Sequence, residues 1–176
     1  MKAERLRINT FWGKRGVIAT IWMNVGEAKL LDERLFGLLS SRQCPGDVLL
    51  ETLERVPDWI NKQHVVLSGF HSPLEQQVLS SILRRKGRVV KLLARGISTY
   101  QAPAEEREAL DEGRMLVLTP FPTEVRRTTR ETALERNRLV VALASELVVP
   151  HVSEGSPLAE IITEHKAGAS SLRIFK

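Results

Sequence analysis

The chain has 176 residues, 43% hydrophobic and 27% charged, a composition that suits one globular domain with an ample core. Its single cysteine, Cys44, excludes an intrachain disulfide and any cysteine-built zinc site, and its longest apolar runs are too short to span a bilayer. Twenty-six basic against 21 acidic residues give a net charge of +5, which permits an anionic partner without requiring one.

Residues 1–33 stand apart from the rest of the chain. No apolar signal core comes after Met1-Lys-Ala-Glu-Arg, so the expected location is cytoplasmic. Leu6–Thr10 and Val17–Trp22, with Gly13 and Gly16 between them, predict an antiparallel hairpin or an extension packed on the sheet. From residue 34 to 176, short apolar runs alternate with helical periodicity, the pattern of βαβ units. Arg34–Leu39 predicts the first strand and ends in the polar turn 40–47. A helix comes next, with Val48, Leu49, Leu53, Val56 and Ile60 at helical spacing. His64–Leu67 lands on Ser68-Gly69, and Pro73 opens a helix carrying Val78, Leu79, Ile82 and Leu83. Arg88–Leu93 is the third run. A long connection and a short charged helix over 104–111 lead to the fourth, Met115–Leu118. Thr123–Ala144 reads as one helix, Glu146–Val149 as the fifth strand, Leu158–Lys166 as a helix and Leu172–Phe175 as a sixth strand. The fold class expected is α/β and Rossmann-like: a mostly parallel sheet of about six strands with helices on both faces.

Ligands of such sheets bind outside the carboxyl ends of the strands, where the strand order reverses. Four loops would converge there: 40–47, 68–73, 119–130 and 151–157. Each places small or hydroxyl residues just before a helix, whose amide end attracts anions. Ser41, Ser68, Ser72 and Ser156 offer hydroxyls, while Gly69 and Gly155 let backbone approach closely. In any one loop the same residues also serve as ordinary caps and turns. Three basic clusters stand out: 84–88, Arg126-Arg127 with Arg130, and Arg136 with Arg138. Taken singly, each reads first as a solvated face. Two arginines two positions apart cannot share a helix face, so one of Arg136 and Arg138 points to the crevice or a partner. Asn137 between them has no evident packing role. Arg42 sets a fixed cation at the end of the first strand, suited to a bidentate phosphate contact.

The chemistry of catalysis is thinly represented. Neither G-x-G-x-x-G nor a Walker A loop occurs, so no nucleotide cofactor is expected, and His64, His151 and His165 lack zinc spacing. His71 and Glu75 stand one helical turn apart and could form an acid–base pair, although a histidine beside a helix start more often caps it or holds an anion. Glu154 suits a ribose hydroxyl or plain solvent.

Those residues carry a resemblance. Arg34-Leu-Phe-Gly-Leu-Leu-Ser-Ser-Arg42 resembles the opening strand and "GSR" turn of the DNA-processing protein A (DprA/Smf) Rossmann domain. Val65–Gly69 resembles that family's "VVSG" strand end. The run from Arg136-Asn-Arg to Val149 resembles "RNRIIAGLSDAVLVV", and Ser153–Leu158 falls where the family has a glycine-serine loop. The likeness covers 34–176 and sets the chain in the wider SLOG superfamily as a stand-alone member. The family's "ARGID" is here Phe70–Glu75. The resemblance implies a pocket for a nucleotide or single-stranded DNA, used in DNA processing or recombination. Ser41, Arg42, Ser68, Gly69, His71, Ser72, Arg136, Arg138, Gly155 and Ser156 would line or support it, none of them catalytic.

Three functions compete on this basis. The first is a binder of nucleotide or single-stranded DNA, for which only Phe70, Tyr100 and Phe121 offer aromatic stacking near the strand ends. The second is a nucleoside-monophosphate phosphoribohydrolase of the Lonely-guy type, with Glu160 near the family's glutamate but without its glycine run. The third is an oligomerisation scaffold, since an apolar outer helix face would suit a homodimer. Binding is favoured over catalysis, and no membrane partner is expected.

Overall fold

Strong apolar runs become strands because burial on both faces leaves each backbone group to be satisfied by a neighbouring strand. In a computed structural model describing residues 2–11, 17–167 and 173–175, these runs form β3 (Leu35–Leu38), β4 (Val65–Ser68), β5 (Arg88–Leu92), β6 (Met115–Thr119), β7 (Glu146–Val148) and β8 (Arg173–Phe175). The hairpin supplies β1 (Glu4–Phe11) and β2 (Val17–Gly26), with Leu6 opposite Trp22. The Gly13 and Gly16 turn lies outside the described residues, as does Leu172.

All eight strands form one sheet in the order β1-β2-β6-β5-β4-β3-β7-β8. From β6 to β8 every pairing is parallel, whereas β2 runs antiparallel to both β1 and β6. The expected six-stranded parallel core is thus present, and the hairpin continues its plane beyond β6.

The helices are α1 (Gly46–Asn61), α2 (Pro73–Arg84), α3 (Ala104–Asp111), α4 (Arg130–Leu143) and α5 (Pro157–Ala167). Side chains alternate along each strand, so two cores form. Val66, Met115 and Val117 meet Val56 and Trp59 of α1, Val78 and Ile82 of α2 and Ala109 of α3 on one face. Val65, Leu67, Leu116 and Leu118 meet Val140 and Val141 of α4 and Ile161 of α5 on the other. Among the described residues, no helix is long and apolar enough to cross a membrane.

One predicted element is corrected. The helix expected over Thr123–Ala144 begins only at Arg130, where the Thr129 hydroxyl accepts from the Thr132 amide as its cap. The apolar periodicity belongs to the later turns alone. Residues 120–129 are a loop, and Arg126 and Arg127 stand on it rather than on a helix.

Candidate anion-binding cleft

The chain builds outward from β3 through β4 and β5 to β6, then returns to lay β7 on the other side of β3. At that reversal the loops diverge and leave a cleft of about 740 Å³, a size typical of ligand sites. Residues 40–43 after β3, His71 and Ser72 after β4, Thr128–Arg130 after β6, and Ser153 and Ser156 after β7 line it. Glu75 and the inner face of α4, with Arg136 and Asn137, complete the wall.

Short polar bonds fix the floor. Ser41 donates its amide to the His151 carbonyl at 3.0 Å, and its hydroxyl accepts from the Ser153 amide at 2.9 Å. Ser41 and Ser156 hydroxyls lie 3.4 Å apart, and Ser156 caps α5 by accepting from the Ala159 amide at 3.3 Å. The first and last loops are thereby tied across 115 residues of sequence. Gly155 stands at the exposed tip of the second of them.

The buried carboxylate of Glu75 ties the other pair. Its Oε1 accepts from the Ser40 amide at 2.9 Å, and its Oε2 from the His71 and Ser72 amides at 2.8 and 3.4 Å. Ser72 returns the bond by accepting from the Glu75 amide, a capping box with Pro73 at the first helical position. The acid–base pairing considered for His71 and Glu75 is not formed: the carboxylate is engaged by backbone. The His71 ring turns instead to Arg42, whose Nη2 donates to Nε2 at 3.0 Å. Because arginine can only donate, this nitrogen carries no proton. Burial, then the charges of Arg136 and Arg42, hold the His71 pKa below its ordinary value.

Arg136 is the chemical centre of the wall. It is 5% exposed, and its Nε and Nη2 donate to the Asn137 side-chain oxygen at 3.1 and 2.8 Å. Asn137, unexplained by packing, is therefore a clamp. Among the described residues Arg136 has no carboxylate within 4 Å. Burial draws its pKa down, Glu75 partly offsets this, and Arg42 adds to it. The guanidinium nonetheless stays charged at any physiological pH. It lies on Gly69, where a Cβ would sit 2.4 Å from its Nε and Cζ, so any larger residue there must displace the guanidinium.

The remaining candidates separate. Arg138 points away from the cleft and pairs with Glu164 of α5 at 3.2 Å, as expected for residues two apart on a helix. Ser68 is fully buried beneath the wall, its hydroxyl accepting from the Phe70 amide at 3.0 Å. That bond braces Phe70 at φ 48°, a left-handed conformation costly for an aromatic residue. Phe70 points into the core and Tyr100 donates its hydroxyl to Glu106, so neither offers a free ring for stacking. Glu160 is exposed and outside the cleft lining, where Glu75 is the one carboxylate among the described residues. The loop 119–130 is expected at the cleft, but Thr128 and Thr129 are not singled out within it; the Thr-x-x-Thr cap at 129–132 is the signal that marks them.

A mostly parallel α/β sheet with an arginine-lined cleft at its switch point defines a Rossmann-like domain. The model of one family, DNA recombination-mediator protein A, matches residues 16–167, and the chain belongs to that family. Among solved structures, it is similar to DNA processing protein A from Helicobacter pylori, described for its single-stranded DNA binding mode. The identity is 16%, with a TM-score of 0.75 over 98% of this chain and 80% of that one. DprA from Streptococcus pneumoniae is also 16% identical, with a TM-score of 0.70 over 88% of this chain. This chain spans 54% of the pneumococcal protein. The molybdenum cofactor binding protein of Rippkaea orientalis shares the fold more loosely, at 9% identity and a TM-score of 0.56, with 81% and 76% coverage. At such identities the likeness is one of fold. A search of the curated proteins returns no match.

Proposed function

We propose that this chain binds single-stranded DNA by its phosphates, as a DNA-processing protein acting in the cytoplasm, and that the cleft at the β3/β7 reversal is the site. The observation that carries this reading is Arg136. A guanidinium held nine-tenths out of water with no carboxylate beside it is costly in the free protein. A phosphate in the cleft would offset that cost through the planar two-point contact arginine favours. Arg42, at the mouth, is exposed and available for the same group. Family membership and the H. pylori relative's DNA binding support the choice of ligand.

The amide end of α2 does not take part, because Glu75 already occupies it. Phosphate is therefore assigned to the two arginines and to the Ser156 end of α5. The hydrolase reading has no carboxylate free in the cleft to act as a base.

Fluorescence anisotropy with a labelled twenty-nucleotide oligo-dT at low salt tests the proposal. Binding that weakens steeply with salt and is lost in Arg42→Ala is expected. Equal binding by wild type and Arg42→Ala, or no binding of oligo-dT alongside tight binding of a free mononucleotide, overturns it.

A further inference from the structure

We propose that His71 is a third phosphate ligand of the cleft, engaged by taking a proton from solvent as the phosphate arrives. This rests on the reading that the cleft takes the phosphates of a single strand, and it makes that binding step dependent on pH.

The free cleft sets the starting state. His71 is exposed on the cleft wall, and its Nε2 accepts from Arg42 Nη2 at 3.0 Å. The contact bridges the loop after β3 and the loop after β4 at the mouth. An imidazolium has two donors and no acceptor, so protonating Nε2 breaks this bond and sets two cations side by side. The remaining surroundings also discourage the proton. Partial burial, then Arg136 from α4 and Arg42, hold it off, while Glu75 from α2 acts the other way. The Glu75 carboxylate is committed to three backbone amides, that of His71 among them, rather than to the ring. Arg130, at the start of α4, is the other charged side chain of the lining, and the loop after β7 contributes Ser153 and Ser156 but no charge.

A bound phosphate reverses these preferences. Seated on Arg42, it neutralises the cation that opposes the proton and places anionic oxygens beside the ring. An opposite charge at such range raises the midpoint of a titrating base by about 1–3 units. Nε2 then gives up its bond from Arg42 and donates to the phosphate, a charge-assisted hydrogen bond stronger than the neutral one it replaces. Arg42 is free to turn its donors to the same group, because among the described residues it has no carboxylate within 4 Å. His71 thus holds Arg42 at the mouth while the cleft is empty and joins it on the ligand when the cleft is filled. The proton is held more tightly in the complex, so affinity rises as pH falls from the bound midpoint to the free one.

Titrations of the full chain and of His71→Gln with labelled twenty-nucleotide oligo-dT, from about pH 8 to about pH 5.5, test this. Wild-type affinity should rise about tenfold or more as pH falls across that range. Its slope of log affinity against log salt should steepen by about 0.7, the share of one further phosphate contact on a single strand. His71→Gln can still accept from Arg42 but takes no proton. It should lose most of the rise and all of the steepening, keeping only the share of His64, His151 and His165. The His71 Cε1–H resonance, followed by NMR in wild type with and without oligo-dT, reads the same proton without a mutation. Its midpoint should lie below about 6.5 in the free chain and rise by about 1–3 units in the complex. Equal pH dependence in the two proteins, a His71 midpoint that oligo-dT leaves unmoved, or affinity that weakens as pH falls overturns the proposal. Arg42→Ala separates these results from a failure of the cleft reading. If it binds oligo-dT as wild type does, or wild type binds none, both readings fall. If it loses binding while the wild-type His71 midpoint stays put, the cleft reading stands and this proposal alone fails.

Discussion

Arg136→Met removes the charge of the buried guanidinium while keeping most of its volume. The desolvation of such an ion costs several kcal/mol. In return, its two hydrogen bonds share a single oxygen, that of Asn137, and such bonds to one neutral acceptor give back about 2–3 kcal/mol. Glu75, the nearest opposing charge, stays satisfied in the variant by three backbone amides. The balance favours the variant by about 1 kcal/mol, within the range seen when buried ions are replaced by apolar groups. For a domain of this size that is a rise of about 2–4 °C in Tm. Thermal unfolding followed by circular dichroism measures it. The same experiment with oligo-dT at a hundred times its Kd should raise the wild-type Tm by about 5–10 °C, from the roughly 2.7 kcal/mol that such binding confers. Arg136→Met should show almost none of that rise. An apo variant less stable than wild type by about 2 kcal/mol or more would refute the reasoning, because Arg136 would then be a structural cation. An undiminished oligonucleotide shift would refute it from the other side.

Gly69→Ala drives a methyl group into the Arg136 guanidinium. It should cost about 1–3 kcal/mol in urea unfolding and weaken oligo-dT binding together, as overpacking displaces the arginine. Glu75→Gln keeps one oxygen and loses the charge that draws three amides; a loss of about 2 kcal/mol, read by the same method, is expected. The folded protein resists protonation of His71, whereas the unfolded chain takes up that proton near pH 6.5. The stability due to neutral His71 is therefore full above about pH 6.5 and declines as pH falls below it. His71→Gln should lose less stability than wild type between about pH 7 and 5, with the remaining histidine share due to His64, whose pKa burial also lowers.

The strands were legible because an apolar run bounded by turn residues has few other uses, and all six parallel strands fall where those runs lie. The convergence of four loops came from topology alone. What escaped were contacts between distant residues. Nothing local shows that Glu75 reaches Ser40, 35 positions away, or that Arg138 pairs with Glu164. The start of α4 was misplaced because Arg126 and Arg127 are sound helix formers; a tertiary bond from Gly96 outweighs that preference. Asn137 could be recognised as odd but not as a clamp, since its partner is the adjacent side chain, and adjacent positions on a helix do not ordinarily face each other.

Glu75 also acts as a resident counter-ion. The fold offers several amide-rich helix ends around one cleft, and a protein that left them all open would grip any polyanion in several competing poses. By seating its own carboxylate at the start of α2, the chain removes one of those poses permanently. It turns an attractive helix end into scaffolding for the arginines beside it. On the proposed reading, the cations left open to a bound strand are Arg42 and Arg136, and fewer competing poses would hold it in one orientation.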